Sequence, residues 1–129
     1  MATQDQGVDI SLTASTDLSS YQFYFVKMTA SNGQVARVTA TTDQPLGVLQ
    51  GAPASGREAL VRILGHSKVV GGESLTAGNL VGSGKDGKGT VITPGTETTC
   101  YPAGIVVSGV TTDGQVAEIV LFGGHCRAA

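Results

Sequence analysis

Few residues of this chain carry reactive groups, and their spacing gathers none of them. Residues 82–88 (GSGKDGK) fit G-x-x-x-x-G-K, the opening of a phosphate-binding loop in which backbone amides cradle phosphate and the lysine neutralises it. That loop needs Ser or Thr directly after the lysine to hold magnesium, and it must run into a helix. Here Gly89 follows Lys88, Thr90 comes one place late and TVITP follows, so the segment reads as a solvated, mobile hairpin tip. Nucleophilic catalysis needs a nucleophile, a base and an orienting group, and only His66 and His125 could supply the usual base. Ser67 follows His66, but adjacent residues on a strand point to opposite faces and cannot exchange a proton. Glu58, Glu73, Glu97 and Glu118 are scattered, without the context of an acid–base pair. His125 and Cys126 are adjacent and His66 is isolated, whereas a zinc site calls for two spaced pairs. Cys100 and Cys126 lack a CxxC neighbour; free thiols are one reading and a disulfide the other. The expectation is a protein without catalytic residues, cofactor or metal.

The elements that must position these residues are strands. A chain of 129 residues holds one ordinary core, and 19 Gly, no Trp and 14% charged residues favour short strands joined by tight turns. A net charge of -2 leaves no electrostatic footprint for nucleic acid or an anionic membrane. Residues 1–7 (MATQDQG) lack the basic start and apolar stretch of a secretory signal, and no run approaches bilayer length, so synthesis in a cytoplasm is expected.

Residues 1–20 form an acidic, Ser/Thr-rich arm. Within it Val8, Ile10, Leu12 and Ala14 alternate with Asp9, Ser11 and Thr13, a strand with one apolar face. That face needs a surface, either the protein's own sheet or a neighbouring subunit; a partly ordered flexible terminus is the alternative. The β-rich domain spans residues 21–129 with a short C-terminal tail. Residues 21–30 (YQFYFVKMTA) read as a central strand, Asn32-Gly33 as a type I′ hairpin turn, and residues 34–42 as the returning strand.

Two stretches resemble each other. Pro45-Leu46-Gly47-Val48-Leu49, a loop through Gly56 and Ala59 to Gly65 have a counterpart in Pro102-Ala103-Gly104-Ile105-Val106, a loop through Gly114 and Ala117 to Gly123. With one extra residue in the second loop, Ala59, Val61 and Ile63 fall on Ala117, Ile119 and Leu121, one face of a strand in both copies, with Arg62 and Glu118 on the opposite faces. Two such units imply an all-β fold, a small closed or nearly closed barrel or sandwich with an extended N-terminal arm.

Residues 45–83, then TVITPG, then residues 101–124 (YPAGIVVSGVTTDGQVAEIVLFGG) resemble the phage capsid cement, or head decoration, proteins. The resemblance implies a structural virion protein that binds the major capsid protein on the outer capsid surface, at three-fold or quasi-three-fold positions and commonly as a homotrimer, with no cofactor and no reaction. Val8, Asp9, Ile10, Ser11, Leu12, Thr13 and Ala14 are the expected capsid-contact residues, on the physical argument above. Other β-structured virion components, such as a head fibre base or tail accessory, suit the same composition. A carbohydrate-binding module fits poorly, since aromatic platforms are scarce.

Overall fold

The computed structural model describes residues 7–93, 95–96 and 101–122. Nine strands follow in chain order: β1 (Gly7–Ala14), β2 (Phe25–Met28), β3 (Gln34–Arg37), β4 (Gly47–Leu49), β5 (Glu58–Val70), β6 (Leu80–Ser83), β7 (Gly89–Val91), β8 (Pro102–Ser108) and β9 (Val116–Leu121). The described residues contain no helix, as Gly-punctuated β-branched runs require.

The strands form one sheet in the order β1-β3-β2-β4-β5-β9-β8-β6-β7, and a further pairing of β1 with β5 closes the first five into a ring. β5 makes this possible. Its 13 residues are long enough to serve two neighbourhoods: Glu58 to Gly65 pair with β1, Val61 and Arg62 with β4, and Gly65 to Val70 with β9. Beyond β9 the sheet curls back, and an isolated parallel bridge between Gly71 and Gly89 ties β7 to the end of β5.

Two cores result. Ala14, Leu18, Val26, Val35, Leu49 and Val61 fill the ring, while Phe25, Val48, Val69, Val81, Ile119 and Leu121 belong to the second core. Neighbours in sequence part company at Phe25/Val26 and at Val48/Leu49, so β2 and β4 are the wall between the cores and are apolar on both faces. Phe25 is fully buried, a placement worth about 2–3 kcal/mol over leaving it in water.

The internal resemblance is structural. Val48 opposes Arg62 and Leu49 opposes Val61; in the second copy Ile105 opposes Val120 and Val106 opposes Ile119, the register the sequence alignment demands. Each copy has a glycine at its third position against its partner strand. A Cβ on Gly47 would stand 2.2 Å from the Arg62 carbonyl oxygen, and one on Gly104 would stand 2.3 Å from that of Val120.

Three local expectations differ from the structure. Residues 7–20 do not stand apart as an arm: β1 lies in the ring and Leu18 is buried, and of the two surfaces open to the alternating apolar face it is the protein's own core, with Val26, Val35 and Leu49, that covers it. Residues 21–24 are turn, with only Phe25–Met28 as strand; Phe23 has a φ of 66°, while its N–H donates to the Leu49 carbonyl and its carbonyl accepts from Val70 N–H. Asn32-Gly33 does join β2 to β3, but only Gly33 has positive φ, so the turn is not type I′, and β3 ends at Arg37.

Candidate docking surface

β1 carries the residues expected to touch a partner, and the structure divides them. Ile10 and Leu12 are half-buried on the ring core and Ala14 is buried. Asp9 lies on the other face and takes a two-pronged ion pair from Arg62: Nε to Oδ1 at 2.7 Å and Nη2 to Oδ2 at 3.1 Å. Arg62 Nη1 also donates to the carbonyl of His66 at 2.9 Å, and His66 Nε2 stands 3.0 Å from Glu118 Oε1 on β9. One polar chain thus stitches β1 to β5 and β5 to β9. Val8 and Ser11 are left exposed.

Two apolar surfaces remain in solvent. At the mouth of the ring a groove of about 960 Å³ is lined by Lys27, Met28, Pro45, Leu46, Ile63 and Leu64 among others, with the Lys27–Asp43 ion pair (2.7 Å) on its rim. Hydrogen bonds from Lys27 and from the amides of Thr39 and Ala40 hold the Asp43 carboxyl below its ordinary range, against the opposing effect of its burial. The second surface is the outer face of β8 and β9. Ile105 opposes Val120, and with Val107 and Phe122 each is at least two-fifths exposed. Sequence reasoning missed both surfaces. The apolar residues at outward positions of the second repeat were a readable signal for one; the groove, assembled from three separate segments, had none.

The 82–88 segment is a β6–β7 hairpin in which three amides are committed: Gly84 N–H to the Lys88 carbonyl, Gly87 N–H to that of Gly84, and Lys88 N–H to Asp86 Oδ1. Its tip is tied to the body of the domain. The Gly87 carbonyl accepts from Phe25 N–H at 2.7 Å, Arg37 Nη1 donates to the Asp86 carbonyl, and Lys88 bonds Asp113 at 3.0 Å, which raises the lysine's pKa. Ser67 is buried and hydrogen-bonded to Gln50 Nε2 and the Lys68 carbonyl, on the opposite side of β5 from the His66–Glu118 contact. Glu73 accepts from Thr90 Oγ1 and Val91 N–H and so covers the free edge of β7. No group of three metal-ligating side chains occurs among the described residues. Glu97, Cys100, His125 and Cys126 lie outside them, as do residues 1–6 of the expected arm.

No protein family model matches this chain, and no curated protein matches it. Among solved structures, the crystal structure of the head fiber gp8.5 N base in bacteriophage phi29 is similar in fold, with a TM-score of 0.68 at 17% identity, over 92% of this chain and 97% of that one.

Proposed function

We propose that this chain is a structural component of a tailed-phage virion, a decoration-type domain seated on the outside of the head. One observation carries the reading: 92% of this chain shares its fold with 97% of a head-fibre base. The sequence likeness to cement proteins points the same way, and Asp9, Arg62, His66, Glu118 and Glu73 are spent on joining strands or covering an edge. The major capsid protein is the partner we assign, with three-fold or quasi-three-fold lattice positions as the place and the exposed residues of the Val8 to Ala14 strand among the contacts. Binding the assembled lattice alone stabilises it by mass action, and many copies add their effects.

The homotrimer belongs to this proposal. It would cover the outer face of β8 and β9, whose Ile105, Val107, Val120 and Phe122 are otherwise left in water. Val120→Asp then lowers the sedimenting mass to that of a monomer while leaving circular dichroism unchanged; a trimer that persists refutes the assignment. The similar structure also favours a second form of the reading, in which the domain is the base of a head fibre. For either form the experiment is the same. Expanded capsid shells are mixed with purified chain and sedimented, and purified virions are searched for it by mass spectrometry. The chain is expected in both; its absence from both overturns the proposal.

A further inference from the structure

β1 is longer than the strand beside it, and the overhang leaves backbone groups with nothing to bind. Ala14 N–H donates to the Arg57 carbonyl, on the β5 side, whereas Thr13 N–H donates to the Gly33 carbonyl, on the β3 side, both at 2.9 Å. Alternation along a strand then aims Ser11 and Asp9 the same way as Thr13. The one irregularity between β1 and β5 falls between Val8 and Asp9 and skips Ile63 on β5, so the alternation from Asp9 to Ala14 is unbroken. β3, however, pairs with Thr13 and Ala14 only and begins at Gln34. The N–H and C=O groups of Asp9 and Ser11 therefore project from the edge with no described residue pairing them. The β7 edge is handled differently: Glu73 takes the Val91 amide, and Gly72 N–H donates to the Gly89 carbonyl.

An open edge of this kind has one complementary chemistry. Donors and acceptors recurring every second residue along a line match an extended polypeptide backbone. A groove of about 400 Å³ lies where such a segment would run, lined by Ser11, Leu12, Thr13, Gly33 and Glu58. Glu58 is exposed and makes no ion pair among the described residues, so a lysine or arginine of the occupant is favoured beside it. Asp9 asks for no such partner, because Arg62 already satisfies it. We propose that the outer edge of β1 at Asp9 and Ser11 takes up an extended, basic segment of a partner polypeptide as an added strand. This specifies the contact made by the head-surface protein of the preceding section and rests on that reading for the partner's identity, though not for the edge.

The test uses the full chain, two variants and two probes. Ser11→Pro removes an edge N–H that β5 does not use and sets a ring where the added strand would lie. Ser11→Ala keeps the backbone intact. The probes are expanded capsid shells and overlapping peptides tiling the proteins encoded beside this chain. We expect at least one basic tile to bind wild type and Ser11→Ala alike and Ser11→Pro at least tenfold more weakly. In the wild-type complex the Asp9 and Ser11 amides become protected from hydrogen exchange, while Ile10 and Leu12, already bonded to β5, do not change. Failure to capture any tile, equal capture by Ser11→Pro, or Asp9 and Ser11 amides already protected in the free dilute chain each overturns strand addition. The shells report separately. Equal co-sedimentation of wild type and Ser11→Pro keeps the virion role and removes the edge from it, whereas edge-dependent peptide capture with no shell binding keeps the edge and removes the virion role.

Discussion

Removing the Asp9–Arg62 pair tests whether β1 is held by its side chains or by the ladder alone. Arg62 is 13% exposed and Asp9 23%, so the pair sits between two regimes. Exposed ion pairs contribute at most about 1 kcal/mol, and breaking a fully buried pair costs about 3–5 kcal/mol. Two charge-assisted bonds to a guanidinium this well covered lead us to a coupling of about 2 kcal/mol. The cycle uses Asp9→Ala, Arg62→Met and the double variant, methionine retaining the packed stem of the arginine. For a domain of this size the coupling corresponds to about 8 °C in melting temperature. Asp9 lies where β1 has only β5 as a neighbour, so the loss also loosens that stretch locally. The Ile10 and Leu12 amides should exchange about 30-fold faster in Asp9→Ala, the equivalent of the same 2 kcal/mol. Salt at about 1 M should leave most of the coupling in place, since the pair is largely shielded from solvent ions. A coupling below about 0.5 kcal/mol, or exchange at the wild-type rate, would refute the reasoning.

Further outcomes follow from the same geometry. Gly47→Ala and Gly104→Ala each drive a Cβ into a partner-strand carbonyl and should cost about 3 kcal/mol or prevent folding, whereas Gly114→Ala meets open space and should cost only about 1–2 kcal/mol for its positive φ; equal urea midpoints for the three would contradict the close strand approach at Gly47 and Gly104. Ser83 Oγ is buried without a hydrogen-bond partner among the described residues, so Ser83→Ala should be neutral or stabilising by up to about 1 kcal/mol, and a clear loss in calorimetry would show that the hydroxyl has a partner. Asp43 titrates below its ordinary range in the folded state, so its contribution is present above the unfolded carboxyl pKa of roughly 4 and is lost as pH falls through the lower, folded value. A melting series from neutral pH downward should therefore fall less steeply for Asp43→Asn than for wild type, and parallel curves would count against the hydrogen bonds described.

Much of this was legible locally. The alternation of Ile10, Leu12 and Ala14 identified β1 and its buried face, because a period of two is a property of neighbouring residues; Val8 broke the pattern and is exposed, beyond the irregularity between it and Asp9. The likeness of the 45–65 and 102–123 stretches implied two equivalent strand-loop-strand units, and the structure pairs them equivalently, Val48 with Arg62 and Ile105 with Val120. The aromatic run 21–25 misled, because bulk alone does not make a strand: Tyr21 and Tyr24 pack edge to face with centroids 5.2 Å apart, and Arg37 lies 4.5 Å over the Tyr21 ring, contacts that hold a turn in place.

The sequence by itself determined the class of fold, the inward face of the repeat strands and most of that of β1, and the lack of a catalytic signature, all of which depend on composition and on residues a few places apart. Tertiary structure alone decided that β5 serves a ring and a second sheet at once, that β1 is absorbed by its own chain, and that Asp9 and Ser11 overhang β3. Those outcomes depend on which strand end lies beside which. Strand ends are set by competition among distant segments for the same backbone hydrogen bonds, and no local pattern of residues records the winner.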